Sequence, residues 1–370
     1  MASEPCQLSI QNFKGISSLD FRLDSPLTAL IGRNGSGKTT LLQSINLVGG
    51  LWTKEVPTVP PMNEWILRSV GGSEAASELM TDPKPGQLNI EMTQGSLGAR
   101  LQIKSGGHCS VSARHGANQV SFHTDTGGGN PIGDVVRHPA LELFRSQLLQ
   151  FDARALARPT PSPTQAPTLG TDGSGLAAVL SYMAQYDRSA LLQLENTLKK
   201  IVPGVSEIRT QFVPIRGEMT VESNGNVILP PTLAGLRSMV VFGTKEIWAN
   251  NVSEGTLLTL GILAAALGQT RPNILLIDDI DRGLHPQAQS ELITNLRTIL
   301  VEHPRLRIVC TTHSPYILDH FEDDEVTVTA RRPNGQVVVR PLSEHPDFAA
   351  FRDKLRAGEF WSSVGEDWVQ

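Results

Sequence analysis

Gly32-Arg33-Asn34-Gly35-Ser36-Gly37-Lys38-Thr39 satisfies G-x-x-x-x-G-K-[ST]. Glycines let backbone N–H groups turn inward around phosphates, the helix that follows adds its positive end, the lysine reaches the β and γ phosphates, and the hydroxyl ligates Mg²⁺. On this reading Gly32 to Lys38 cradle phosphate, Thr39 takes the metal, and Thr40 stands beside it at the helix start. A second candidate is Ile274-Leu275-Leu276-Ile277 running into Asp278 and Asp279. Such a strand beside a phosphate loop places Asp278 to hold Mg²⁺, directly or through water, and Asp279 to polarise an attacking water. Alone, the same string reads as a buried strand closed by two turn-forming aspartates; the phosphate loop decides for magnesium.

Two further motifs draw meaning from these. Thr311-Thr312-His313-Ser314-Pro315 follows the next apolar run, so His313 is expected on the sheet edge that carries Asp278. There an imidazole can hydrogen-bond a γ-phosphate oxygen or the attacking water, although a lone histidine at a strand end is more often structural. Asn251-Val252-Ser253-Glu254-Gly255-Thr256 precedes a helix. Ser253 fits an N-cap and Gly255 a tight entry; the same serine, glycine and helix N-terminus also make an anion site able to clasp a γ-phosphate from another subunit.

The elements that must position these residues are readable from periodicity. Gln7 to Phe13, Leu19 to Leu23 and Leu27 to Ile31 read as three strands, and Thr39 to Val48 as a helix stopped by Gly49-Gly50. From Leu51 to about Gly133, short alternating runs (Leu88–Met92, Ala99–Ile103, Gln119–His123) suggest a small antiparallel sheet with long turns. Ala157 to Gly175, with four prolines, reads as a flexible or surface-hugging connector. A helix capped by Asp172 or Ser174 and a second over Ala190–Ile201 follow. Helix Gly255–Leu267, strand Ile274–Ile277, helix Pro286–Leu300 and strand Arg307–Cys310 then alternate as in a parallel α/β sheet. A hairpin (Val326–Thr329, Gln336–Arg340) and a terminal helix from about Asp347 to Arg356 close the chain.

Composition narrows the function classes. The chain has 370 residues, 39% of them hydrophobic, and a formal charge of −5. It is long enough for a full core and carries no global pull toward nucleic acid, so any such contact needs a local basic patch or a partner. The longest uncharged stretch, Gly255 to Thr270, has 16 residues, short of the roughly 20 a membrane helix needs. No membrane contact is expected. MASEPCQLSI lacks a basic-then-apolar leader, which points to the cytoplasm. Cys6, Cys109 and Cys310 are too scattered for disulfide or zinc spacing and read as core thiols.

Taken in order, these motifs resemble the ABC-type ATPase heads of the RecF, Rad50 and OLD group, most closely AAA-family ATPases similar to the ATPase half of OLD proteins. The resembling stretches are Gln11–Gly15, Leu30–Ile45, Asp172–Val205, Ser253–Thr256, Ile274–Pro286 and Thr311–Pro315. The resemblance implies an α/β fold: an ABC-type P-loop ATPase head with a mixed sheet core, an antiparallel β-rich portion and a helical lobe. It implies ATP and Mg²⁺ as ligands, a signature loop at Ser253 and Gly255, a Walker B carboxylate at Asp278, Asp279 in the place of a catalytic glutamate, a D-loop over Asp281–His285, and His313 as the switch histidine. Lys14 falls where relatives keep a basic residue near the nucleotide, and Gln150 is the weak counterpart of a Q-loop glutamine.

The expected layout is an N-terminal head portion (1–150), a helical lobe with connector (151–250), a C-terminal head portion (251–345) and a tail (346–370). Asp279 departs from the family's glutamate by one methylene, and a misplacement of about an ångström costs on the order of 100-fold in rate, so slow hydrolysis or a nucleotide switch is in play. Leu51 to Asn250 is too short and too proline-broken for a coiled-coil arm. After Ser314 only 56 residues remain, too few for a TOPRIM domain. The expectation is a homodimer sandwiching ATP that controls a separately encoded effector, most plausibly a nuclease, in DNA- or RNA-linked defence or repair. The rivals are a nucleotide-binding scaffold with little hydrolysis and, less well matched in its motif wording, a transporter ATPase subunit.

Overall fold

A run as apolar as Leu27-Thr28-Ala29-Leu30-Ile31 has no face to give to water, and it forms a strand buried at all five positions (β3, Leu27–Ile31). The computed structural model describes residues 4–51, 87–103, 109–123, 135, 137–163, 165–216, 220–221, 227–228, 232–352 and 354–369. It divides into two compact units, one of residues 1–148, 272–280 and 300–370, the other of residues 149–271 and 281–299.

In the first unit β3 lies inside a six-stranded sheet ordered β18 (Val337–Pro341), β17 (Val326–Arg331), β3, β16 (Arg307–Thr311), β15 (Ile274–Ile277) and β8 (Ser146–Leu149). β17, β3, β16 and β15 run parallel, and β18 turns back antiparallel on β17. Registers such as Thr311 opposite Leu30 and Cys310 opposite Ile277 bring the carboxyl ends of β3, β15 and β16 to one edge, where ligands of open α/β sheets bind. Helix α1 (Lys38–Gly49) leaves that edge and buries Leu41, Leu42, Ile45 and Val48.

The second sheet of this unit is antiparallel, in the order β2 (Ile16–Leu23), β1 (Cys6–Phe13), β4 (Leu88–Gln94), β5 (Leu97–Ile103), β6 (Cys109–His115) and β7 (Asn118–His123). The antiparallel sheet expected over 51–133 is thus not free-standing. Its strands extend the N-terminal hairpin, with Ile10 opposite both Leu19 and Ile90, because these alternating apolar faces share one core with α1. The remainder of that expectation, at 52–86, 104–108 and 124–133, lies outside the described residues. Helix α2 (Pro139–Leu143) completes the core with Ala140 and Leu141. Cys6 and Cys310 are buried free thiols, and burial pushes Cys6 up to about 12.

The second unit holds α3 (Ala153–Ala157), α4 (Leu176–Tyr186), α5 (Arg188–Ile201) and α6 (Glu254–Leu267), with a sheet that sequence patterning does not announce. β10 (Val205–Arg216) and β13 (Thr232–Phe242) form a long antiparallel pair, flanked by β14 (Lys245–Trp248) and by β9 (Thr160–Pro161), and β11 (Thr220–Val221) pairs with β12 (Val227–Ile228). The region expected to be a helical lobe is therefore also a sheet. Its alternation is weakened by Pro214 and by apolar residues left outside, Phe212 at 64% and Leu233 at 47% exposure. The connector is anchored rather than loose: β9 joins β13 and Leu169 is buried. Gly175, in a left-handed conformation, caps α4 in place of Asp172 or Ser174; the Asp172 carboxylate instead accepts the Ser174 N–H at 2.9 Å.

α7 (Pro286–Glu302) and α8 (Pro315–Leu318) follow β15 and β16. Of the terminal helix expected from about Asp347 to Arg356 only α9 (Phe348–Phe351) is helical, and a helix not expected there, α10 (Ala357–Val364), follows, begun by Arg356, whose N–H the Glu359 carboxylate accepts at 3.1 Å. Among the described residues no helix is long and apolar enough to cross a membrane.

Candidate nucleotide site

The phosphate-loop motif sits at the carboxyl end of β3, in the strand-to-helix context its chemistry needs. Gly32, Gly35 and Gly37 all take positive φ. At Gly32 (φ +138) a Cβ would overlap the Thr329 carbonyl, and at Gly37 (φ +109) it would press on Val337, so neither position accepts a side chain. Thr329 donates its hydroxyl to the Ile31 carbonyl at 2.8 Å, which leaves Ser36 Oγ to donate to Thr329 Oγ1 at 2.6 Å. β17 therefore fastens the loop at both ends of its curve. Asn34 and Gly35 are exposed at its crest.

Lys38 is buried at 6% exposure and donates Nζ to the carbonyls of Gly32 at 2.7 Å and Arg33 at 3.2 Å. Burial pulls its ammonium below the ordinary lysine range, opposed by the carboxylates of Asp279, then Asp278, then Glu366. Thr39 Oγ1 lies 3.0 Å from one Asp278 oxygen and 3.2 Å from the other, although 239 residues separate them. Thr311 at the end of β16 donates Oγ1 to Asp278 at 2.6 Å and accepts the Asp279 N–H at 2.8 Å. Asp279 itself is left-handed, with φ 54. Thr40 lies on α1, one residue beyond Thr39, and is half-buried.

A hydroxyl and a carboxylate side by side are hard oxygen donors of the kind Mg²⁺ takes while keeping waters and binding phosphate. Among the described residues no group of three or more His, Cys, Asp or Glu could hold a metal alone. The Thr39–Asp278 pair fits an ion whose remaining ligands come from phosphate and water, and the glycine cradle fits the phosphates.

The other expected residues fall in two places. In the first unit, His313 is exposed in the segment leaving β16, where Thr312 Oγ1 accepts the Ser314 N–H at 3.0 Å. Lys14, with φ 49 in the turn between β1 and β2, donates Nζ to Gln43 Oε1 of α1 at 2.5 Å, and partial burial lowers its pKa. In the second unit, Ser253 caps α6, accepting the Thr256 N–H at 3.4 Å and bonding the Thr256 hydroxyl at 2.7 Å. A Cβ on Gly255 would overlap the carbonyl of Gly283, itself at φ +71, so the two segments touch backbone to backbone. Arg282 pairs with Glu254 at 3.1 Å and donates to the Phe151 carbonyl, tying the Asp281–His285 segment to the start of α6. Gln150 lies in this unit too, its backbone N–H on the Thr171 carbonyl at 2.8 Å.

Sequence patterning missed Glu366. Its carboxylate, 6% exposed, accepts the Arg33 backbone N–H at 2.9 Å and pairs with Arg33 Nε at 3.0 Å, while Asp367 reaches the same guanidinium at 3.5 Å. A single acid in a tail carries no periodic signal. Thr311 and Thr329 were hidden likewise, since threonine is an ordinary strand residue.

Fold and motifs together give an ABC-type P-loop ATPase head, similar to the heads of OLD- and Rad50-like proteins. A family model described as an AAA domain, putative AbiEii toxin, Type IV TA system matches residues 161–319, and another described as an AAA domain matches residues 7–61. The chain is similar to an OLD nuclease of Thermus scotoductus (strain ATCC 700910 / SA-01), 23% identical over 95% of this chain and 67% of the nuclease. It is also similar to the Septu protein PtuA of Bacillus thuringiensis, 22% identical over 91% of this chain and 78% of that protein. In fold it resembles the SmcHead crystallised with the C-winged helix domain of ScpA, with a TM-score of 0.58 at 14% identity, covering 91% of this chain and 98% of that one.

Proposed function

We propose that this protein binds and hydrolyses ATP with Mg²⁺, dimerises around the nucleotide, and so controls a separately encoded effector, a nuclease by preference, in nucleic-acid-linked defence or repair. The contact between Thr39 and Asp278 carries the reading, because it joins a phosphate loop to a distant carboxylate at one sheet edge. The names of the OLD nuclease and Septu relatives support the defence and nuclease context.

In this scheme Gly32 to Lys38 and Thr40 bind and orient the phosphates, with Arg33, Asn34 and Ser36 shaping the loop, and Lys38 neutralises their charge. Thr39 and Asp278 hold the metal, which would neutralise charge on the γ-phosphate. Asp279 orients and polarises the attacking water, His313 contacts the γ-phosphate or that water, and Lys14 adds a cation near the nucleotide. Ser253 and Gly255, at the N-terminus of α6, clasp the nucleotide of the partner copy, since a helix start with a serine cap is an anion site. The short Asp279 side chain favours slow turnover, which suits a switch. The site of action is the cytoplasm.

Lys38→Ala tests the assignment. ATP binding measured by calorimetry should be lost with the fold intact by circular dichroism; unchanged ATP turnover in the variant would refute it.

A further inference from the structure

A cleft of about 580 Å³ opens within the second unit, lined among others by Arg154, Arg158, Arg237, Asn250, Val252 and Glu254. Its charge is one-sided. Arg154 and Arg158 are exposed, the first on α3 and the second at its C-cap, where the backbone turns extended, and both line the cleft. Neither forms a direct ion pair among the described residues, although the Asp172 carboxyl, whose pKa is lowered first by hydrogen bonds from Ser174, is lowered further by the charge of Arg158. Arg237 is held in place: its guanidinium carbon lies 4.5 Å from the Trp248 ring centroid and it donates to Asn250 Oδ1. Its Nε is nevertheless buried with no hydrogen-bond partner among the described residues, and an unsatisfied buried donor on a cation is costly. The carboxylate of Glu254 is already engaged by Arg282 at 3.1 Å. Three guanidiniums thus face one neutralised acid in a chain whose formal charge is −5.

Guanidinium forks match phosphate oxygens, and a cation fixed by stacking loses little freedom on binding. Among the described residues the lining contains no aromatic side chain. Trp248, which carries the Arg237 guanidinium over its ring, is not part of that lining. Recognition here is therefore of phosphates in series, without base readout.

We propose that this cleft binds the phosphodiester backbone of a nucleic acid, independently of its sequence. The anion chemistry stands on the cleft alone; the choice of nucleic acid among polyanions rests on the nucleic-acid-linked function proposed above.

The test measures fluorescence anisotropy of labelled 20-nucleotide DNA and RNA probes of mixed sequence, single-stranded and duplex, with the full chain over a salt series. Arg154→Ala/Arg158→Ala should weaken binding about tenfold or more and flatten the log–log salt slope by about 1.4 for single strands, at roughly 0.7 per lost contact. Arg154→Lys/Arg158→Lys should restore most of the affinity, and Lys38→Ala should bind the probes as the parent does. Equal affinity of the double alanine variant, or no probe binding by the parent chain, would overturn the proposal. So would a double variant that keeps the probes but loses ATP-driven association, which would assign the arginines to the nucleotide. ATP turnover read on the same preparations separates a failure of the cleft from a failure of the ATPase reading.

Discussion

Asp279 occupies a backbone conformation, φ 54, that aspartate tolerates better than most side chains, and its N–H is fixed by Thr311 at 2.8 Å. Its position is rigid while its reach is short. Asp279→Asn should keep ATP binding and lower kcat by about 100-fold or more, the usual contribution of a positioned base; turnover at the parent rate would remove Asp279 from the chemistry. Asp279→Glu, with the missing methylene restored, should raise kcat, and steady-state phosphate release decides it. Glu366 offers a second prediction at this scale. It adds a third carboxylate to the field around Lys38, after Asp279 and Asp278, where negative charge opposes an incoming phosphate, and it engages the Arg33 guanidinium. Because Arg33 is 69% exposed, the ion pair itself is worth at most about 1 kcal/mol. Glu366→Gln should therefore tighten ATP binding a few-fold in calorimetry with little change in stability; weaker binding would show that the pair braces the loop instead.

Among the elements, those that position the nucleotide were the legible ones. β3 and β15 are short, almost wholly apolar runs leading into Gly32 and Asp278, β16 carries Ile308, Val309 and Cys310 into Thr311, and α1 repeats its apolar residues at helical spacing, so local pattern and global placement agree. The order of strands was not legible, because neighbours such as β3 and β16 pair across hundreds of residues and nothing local encodes the partner. β10 and β13 were missed for another reason: their half-exposed faces mix Phe212 and Leu233 with charged residues, so period-2 alternation is blurred. In the sequence Gly255 reads as a tight helix entry; its structural reason is the backbone of Gly283 against it. Gly255→Ala should cost about 2 kcal/mol or more, since the blocking atom is a main-chain carbonyl that cannot swing aside. A urea midpoint indistinguishable from the parent's would show that the two segments separate readily.

For the whole molecule, the two halves of the proposed ATP clasp lie on different compact units, the phosphate loop with Asp278 on one and Ser253 with Gly255 on the other. Ser253 satisfies its own helix start through Thr256, so the cap is built whether or not phosphate is near. That division motivates association in trans, with each nucleotide held by one copy's phosphate loop and the other copy's α6, and a symmetric pair closing both sites at once. Sedimentation velocity of the Asp279→Asn protein with ATP and Mg²⁺ is the most direct test. The account predicts the mass of two chains with ATP and of one without it, and the mass of one chain when Ser253→Arg is added, with ATP still bound. A single-chain mass at saturating ATP across all protein concentrations, or a dimer that Ser253→Arg leaves intact, would contradict it.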